Sequence, residues 1–162
     1  MDFWRRIFGS PAPPVIDPVL GRLYRLDDED VVRDFGITSS AYNIYEKEGH
    51  HWLSLVVKAE SDNGADEEDE LEPWLEMNLP FDETPGALLR VGAVLKVESY
   101  HEELFNLTSM YYWTHSPFDG QILIESVNEG SFSARVTGES DHEPVDLRAI
   151  FKLNSDLRRS FS

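Results

Sequence analysis

The sequence predicts a mostly β protein: a single-domain antiparallel β-sandwich or strongly curved sheet of seven to eight strands, with one or two short helices. Three observations predict it. Short segments alternate apolar and polar residues with a period of two, the mark of a half-buried strand. Gly, Asn, Asp and Pro punctuate these segments at hairpin spacing. No long 3.6-residue periodicity separates the strands, which argues against βαβ units. The 162 residues are 41% hydrophobic and 12% aromatic, enough for one domain with a real core.

The elements follow in order. Phe3, Trp4, Ile7 and Phe8 recur at helical spacing with Arg5 and Arg6 opposite, one or two amphipathic turns that are marginal alone. Residues 9–14 then read Gly-Ser-Pro-Ala-Pro-Pro, a stiff linker. Residues 20–26 predict a first strand. Asp27 or Asp28 is placed to cap a helical turn through Val31, Val32 and Phe35 that Gly36 stops. Residues 41–46 and 52–59 predict a hairpin about Lys47-Glu48-Gly49-His50, with Gly49 in the left-handed conformation. Tyr42 and Ile44 share one face, Asn43 and Tyr45 the other.

Residues 74–81 are again extended, with Leu75, Met77, Leu79 and Phe81 in register. Thr84 before Pro85 predicts a capped helix start, and Gly92 ends that short helix. Residues 93–100 form the next strand. Residues 101–113 predict irregular structure ending in a strand. Ser116-Pro117-Phe118-Asp119-Gly120 reads as a turn. Residues 121–127 and 131–138 form a hairpin closed by Asn128-Glu129-Gly130. Residues 139–143 read as a polar loop. In the last strand Val145, Leu147, Ala149, Phe151 and Leu153 alternate with polar residues and Ile150. The expected division is an amphipathic segment and linker at 1–16, a β domain at 17–154 and a polar tail at 155–162.

Charge is the strongest bias in the chain. Fourteen Lys or Arg face thirty-one Asp or Glu, a formal net charge of −17. Residues 59–89 hold eleven carboxylates and no cation, densest in an acidic loop expected at 60–72. Such a run cannot be buried cheaply and predicts a solvated loop. Phosphate backbones repel this surface, and the few cations are scattered, so nucleic-acid binding is not expected. No stretch has the length of a membrane-spanning helix, and the first residues lack a signal peptide's apolar region, which predicts a cytoplasmic protein without stable membrane insertion. The absence of cysteine removes disulfides, thiolate metal sites and Cys nucleophiles.

Catalytic motifs are sparse. His101-Glu102-Glu103 and Asp141-His142-Glu143 place imidazole beside carboxylate, but neither has zinc-site spacing. The acidic run lacks the sixth-position glycine of a calcium loop. No nucleophile elbow or phosphate-binding glycine loop occurs. No catalytic residue, metal ligand or cofactor is assigned, and no residue pattern names a family. The candidate binding residues form two groups. Tyr111, Tyr112, Trp113, His115 and Phe118 make an aromatic cluster, which either packs or presents a binding surface. Asp66, Glu67, Glu68 and Asp69 are the heart of the acidic run. The expected function is an acidic binding module for a basic protein partner, of inhibitor or immunity type, because complementary charge speeds encounter. The alternatives are a small-molecule or carbohydrate binder using the aromatics, and an enzyme with a His–carboxylate site.

Overall fold

The computed structural model describes residues 19–26, 32–61, 73–101, 105–106, 108–111 and 115–158. The expected N-terminal segment at 1–16, the densest acidic residues at 62–72 and the last residues, 159–162, lie outside that set. The strands are β1 (Arg22–Leu26), β2 (Val32–Lys47), β3 (His50–Ser61), β4 (Trp74–Phe81), β5 (Val94–Val97), β6 (Tyr100–His101), β7 (Phe105–Asn106), β8 (Thr108–Tyr111), β9 (His115–Asn128), β10 (Ser131–Ser140) and β11 (Glu143–Leu153). One helix, α1 (Pro85–Leu88), separates β4 from β5.

Of the two expected architectures, the curved sheet is the one present. Eight strands run in the order β10-β11-β1-β2-β3-β4-β8-β9, and β9 pairs back with β10 to bend the sheet into a barrel. Neighbours are antiparallel except where β11 passes the short β1 and meets β2 in parallel at Lys152 opposite Ala41. Among the described residues closure is incomplete where β8 gives way to β5. β8 pairs with β4 only over Trp74–Met77, while β5 lies beside β9 from Gly120 to Leu123. The pair β6–β7 forms a separate small hairpin.

Alternation explains the core. On β3, Leu53, Leu55, Val57 and Ala59 point inward and oppose Leu79, Met77 and Leu75 of β4. Phe132, Ala134 and Val136 of β10 oppose Phe151, Ala149 and Leu147 of β11, all inside. The rings of Phe132 and Phe151 stack at 5.2 Å, and Tyr42 meets Phe132 edge-on at 4.9 Å. Each of the larger of these side chains, Val, Leu, Met or Phe, contributes roughly 1.5–3 kcal/mol on burial. Burial also pushes the Tyr42 phenol up from its ordinary pKa.

Turn chemistry sets the registers. Lys47 pairs with His50 across Glu48 and Gly49, whose φ angles of 55° and 78° make the right-twisted two-residue turn. Asp141 and His142 repeat that geometry, with φ of 52° and 65°, between Ser140 and Glu143. α1 starts as expected: the Thr84 side chain accepts from the Ala87 amide, and proline occupies the first turn.

Three sequence expectations need correction. Val32–Gly36 is strand, not a helical turn, because each residue pairs with β1 in a hairpin; residues 27–31 lie outside the described set. Residues 116–120 continue β9 rather than turning. Asp119 there accepts from the Ser99 amide and hydroxyl, and Gly120 serves close strand packing instead of a bend. Residues 139–143 are not a loop: β10 runs to Ser140 and only Asp141 and His142 turn. Residues 154–158, which include the described part of the polar tail, fold back on β2. Asn43 Nδ2 donates to the Ser155 and Leu157 carbonyls, the Asn154 amide donates to Tyr42 O, and the Arg158 guanidinium lies over the Tyr45 ring. The outer face of β2 is thereby covered as well as the inner one. Beneath, Tyr45 Oη, Ser54 Oγ and Asn78 Oδ1 form a buried hydrogen-bonded chain. Among the described residues no helix is long and apolar enough to cross a membrane.

Candidate functional site

The strand registers give the barrel two unlike ends. At one end the chain turns through Glu48-Gly49, through α1 and through Glu129-Gly130. At the other lie Leu26 opposite Val32, Lys58 opposite Trp74, Tyr111 opposite His115, and Ser140 opposite Glu143. Those pairs bracket the connections 27–31, 62–72, 112–114 and 141–142. In sequence, 27–31 holds four carboxylates and 62–72 holds seven. The two candidate groups therefore belong to hairpins that open at the same end, although they lie far apart in the chain.

The individual candidates divide as follows. Asp66, Glu67, Glu68 and Asp69 lie outside the described residues, as do Tyr112 and Trp113. Tyr111 ends β8 and His115 begins β9, as direct strand partners. Phe118 is fully buried, facing the barrel interior. Its ring packs the core, the packing side of the alternatives open to the aromatic cluster.

The described part of this end is polar and ordered by hydrogen bonds. Arg25 Nε donates to Glu143 Oε2 at 2.6 Å, and the guanidinium is almost wholly buried. Ser116 Oγ donates to Asp141 Oδ2 at 2.5 Å. Lys58 Nζ sits 4.7 Å above the half-exposed Trp74 ring. Further along the outer face, Arg22, Arg148 and Arg135 form one cross-strand row. Like charges in a row repel, and each is held by a carboxylate: Asp34, Glu125 and Asp146 respectively.

Two grooves run from this end along the outside of the barrel. One, of about 540 Å³, is lined by Pro117, Asp119, Gly120, Glu139, Asp141 and His142. The second, of about 710 Å³, lies over β5, β9, β10 and the start of β11 and shares Gly120 and Glu139 with the first. Lys96 is a cation on its wall, and Glu98, 2.8 Å away, holds its ammonium pKa above the usual range, with a smaller contribution from Asp119. The sequence did not single out Asp119, Glu139 or Val94. They come from separate strands, and only the pairing of β5 and β10 with β9 brings them together.

The arrangement offers apolar contact and many hydrogen-bond acceptors. Among the described residues no group of three His, Asp or Glu side chains is placed to hold a metal ion. His142 sits in its turn next to Asp141 and Glu143; residues 102–104, beside His101, lie outside the described set. No family model matches the chain, and no curated protein or solved structure matches it.

Proposed function

We propose that the protein acts by binding, as an acidic interaction module that recognises a basic protein partner in the manner of an inhibitor or immunity-type protein. The single observation that carries this reading is that the strand pairs flanking the carboxylate-rich sequences 27–31 and 62–72, Leu26 with Val32 and Lys58 with Trp74, lie at one barrel end. Grooves walled by Asp119, Glu139 and Asp141 begin at that same end. A net charge of −17 would steer a basic partner from a distance, and a field concentrated at one end would orient it on arrival. The barrel interior is filled by Phe118, Phe132, Phe151, Met77 and Ile122, which weighs against a small-molecule or carbohydrate site in the lumen. The partner binds on the outside.

Affinity capture from a native lysate, run at low and at high salt with mass spectrometry of the retained proteins, tests the reading. Retention of a basic protein at low salt and its release at high salt support it. Retention of acidic or neutral proteins indifferent to salt, or of nothing, speaks against it.

A further inference from the structure

We infer that the continuous groove over β5, β9, β10 and β11 is the docking site for an extended segment of the partner in which aliphatic residues lie beside Lys or Arg. This rests on the acidic-module reading and gives it a site. The groove has an apolar strip. Val94, on its wall, is 57% exposed, and its direct cross-strand neighbour Leu123, just beyond the lining, is 36% exposed. Pro144 continues the lining at its β11 side, where Val145 next to it is buried in the core. Aliphatic groups left in water at adjacent positions gain from being covered.

The charge around that strip selects what covers it. Asp119, Glu139, Asp141 and Asp146 line the two joined grooves, against Lys96 and His142. Most of these carboxylates have work within the fold: Asp119 holds Ser99, Asp141 holds Ser116, and Asp146 holds Arg135 through two hydrogen bonds. Glu139 differs. It is exposed, lies in both grooves, and its carboxylate has no partner among the described residues. It is the anchor for an incoming ammonium or guanidinium, which a carboxylate binds more strongly than a neutral group would. An acidic or purely apolar segment would leave that charge unanswered beside the strip. The two volumes, about 710 and 540 Å³, each suit several side chains of an extended segment.

The test uses a ten-residue peptide of alternating Lys and Val as probe and its Glu/Val counterpart as control, titrated into the full chain and followed by amide chemical shifts. The expected result is a set of shifts centred on Val94, Lys96, Gln121, Thr137 and Glu139 with the Lys/Val peptide and none with the Glu/Val peptide. Glu139→Lys should weaken binding about tenfold, and Val94→Asp by a similar factor. Glu129→Lys makes the same charge change at the opposite end and should alter affinity by less than about twofold. Glu139 and Val94 are both exposed, so at least one variant will report on a folded chain, which its own spectrum verifies. If the Lys/Val peptide binds but its shifts lie outside the groove and Glu139→Lys matches Glu129→Lys, the groove assignment falls while the acidic-module reading stands. If the peptide does not bind at all, both fall.

Discussion

Gly138 lies beneath the ring of Phe118 and directly opposite Gly120 in the β9–β10 ladder. A Cβ built on Gly138 would come within 2.6 Å of Phe118 Cζ and 2.9 Å of Gly120 Cα, and closer still to the Asp119 carbonyl. A Cβ on Gly120 would be 2.8 Å from Gly138 Cα and would strike Thr137 O. The two strands meet here at a distance only a glycine pair permits, and the Phe118 ring fills the space above Gly138. Gly138→Ala and Gly120→Ala should each cost about 1–3 kcal/mol, the usual penalty for forcing atoms into a filled site. Denaturant midpoints of the two variants check this. Wild-type stability in either would mean that the strands can separate without loss.

The last strand gives the sharpest contrast between neighbours. Phe151 is fully buried against Phe132, while Ile150 points outward and is 42% exposed. Phe151→Ala should cost about 3–5 kcal/mol and Ile150→Ala under about 1 kcal/mol. Equal penalties would mean that the outer face of β11 is as tightly covered as the inner one.

Two turns hold non-glycine residues in the left-handed region, Glu48 in one and both Asp141 and His142 in the other. Asn-Gly and Asp-Gly are the pairs this geometry favours. Glu48→Asn and His142→Gly should therefore each raise stability by about 0.5–1 kcal/mol, with thermal midpoints as the readout. A fall on His142→Gly would show that the imidazole contributes more to folding than its backbone strain costs.

Residues 154–158 should contribute to stability despite their polarity. Cutting the chain after Leu153 removes both carbonyls that Asn43 donates to and leaves Tyr42 O without the Asn154 amide. Asn43 is nearly buried, so its amide would lose partners in a partly dry site. The truncation should cost about 1–3 kcal/mol. An unchanged denaturant midpoint would reduce these contacts to surface decoration.

The paired strands were legible where alternation and turn residues agree. Phe132, Val136, Leu147 and Phe151 are all inward, and Glu48-Gly49 turns the first long hairpin. What was not legible has a physical cause in each case. Pro117, Asp119 and Gly120 are turn-forming types, yet pairing uses them within a strand, Pro117 opposite Ser109 of β8 and Asp119 and Gly120 opposite Glu139 and Gly138 of β10. Phe35 and Val32 fit a helical face, but pairing with β1 overrides it. Alternation places Asn43 and Tyr45 on the face opposite Tyr42 and Ile44, but nothing local announces that residues 154–158 fold back over that face of β2. The candidate site divides in the same way. A charge run is visible in sequence, whereas a groove assembled from β5, β9, β10 and β11 depends on contacts between residues up to about fifty positions apart.

The central claim is that a basic partner is held electrostatically on the outer face at and beside the acidic barrel end. Its most direct test is the dissociation constant of the Lys/Val peptide as salt rises from about 20 mM to about 0.3 M, over which the screening length shortens about fourfold. The account predicts that binding weakens about tenfold or more across that range. It also predicts that the Glu139→Lys chain starts weaker and loses less to salt. An affinity indifferent to salt would contradict it.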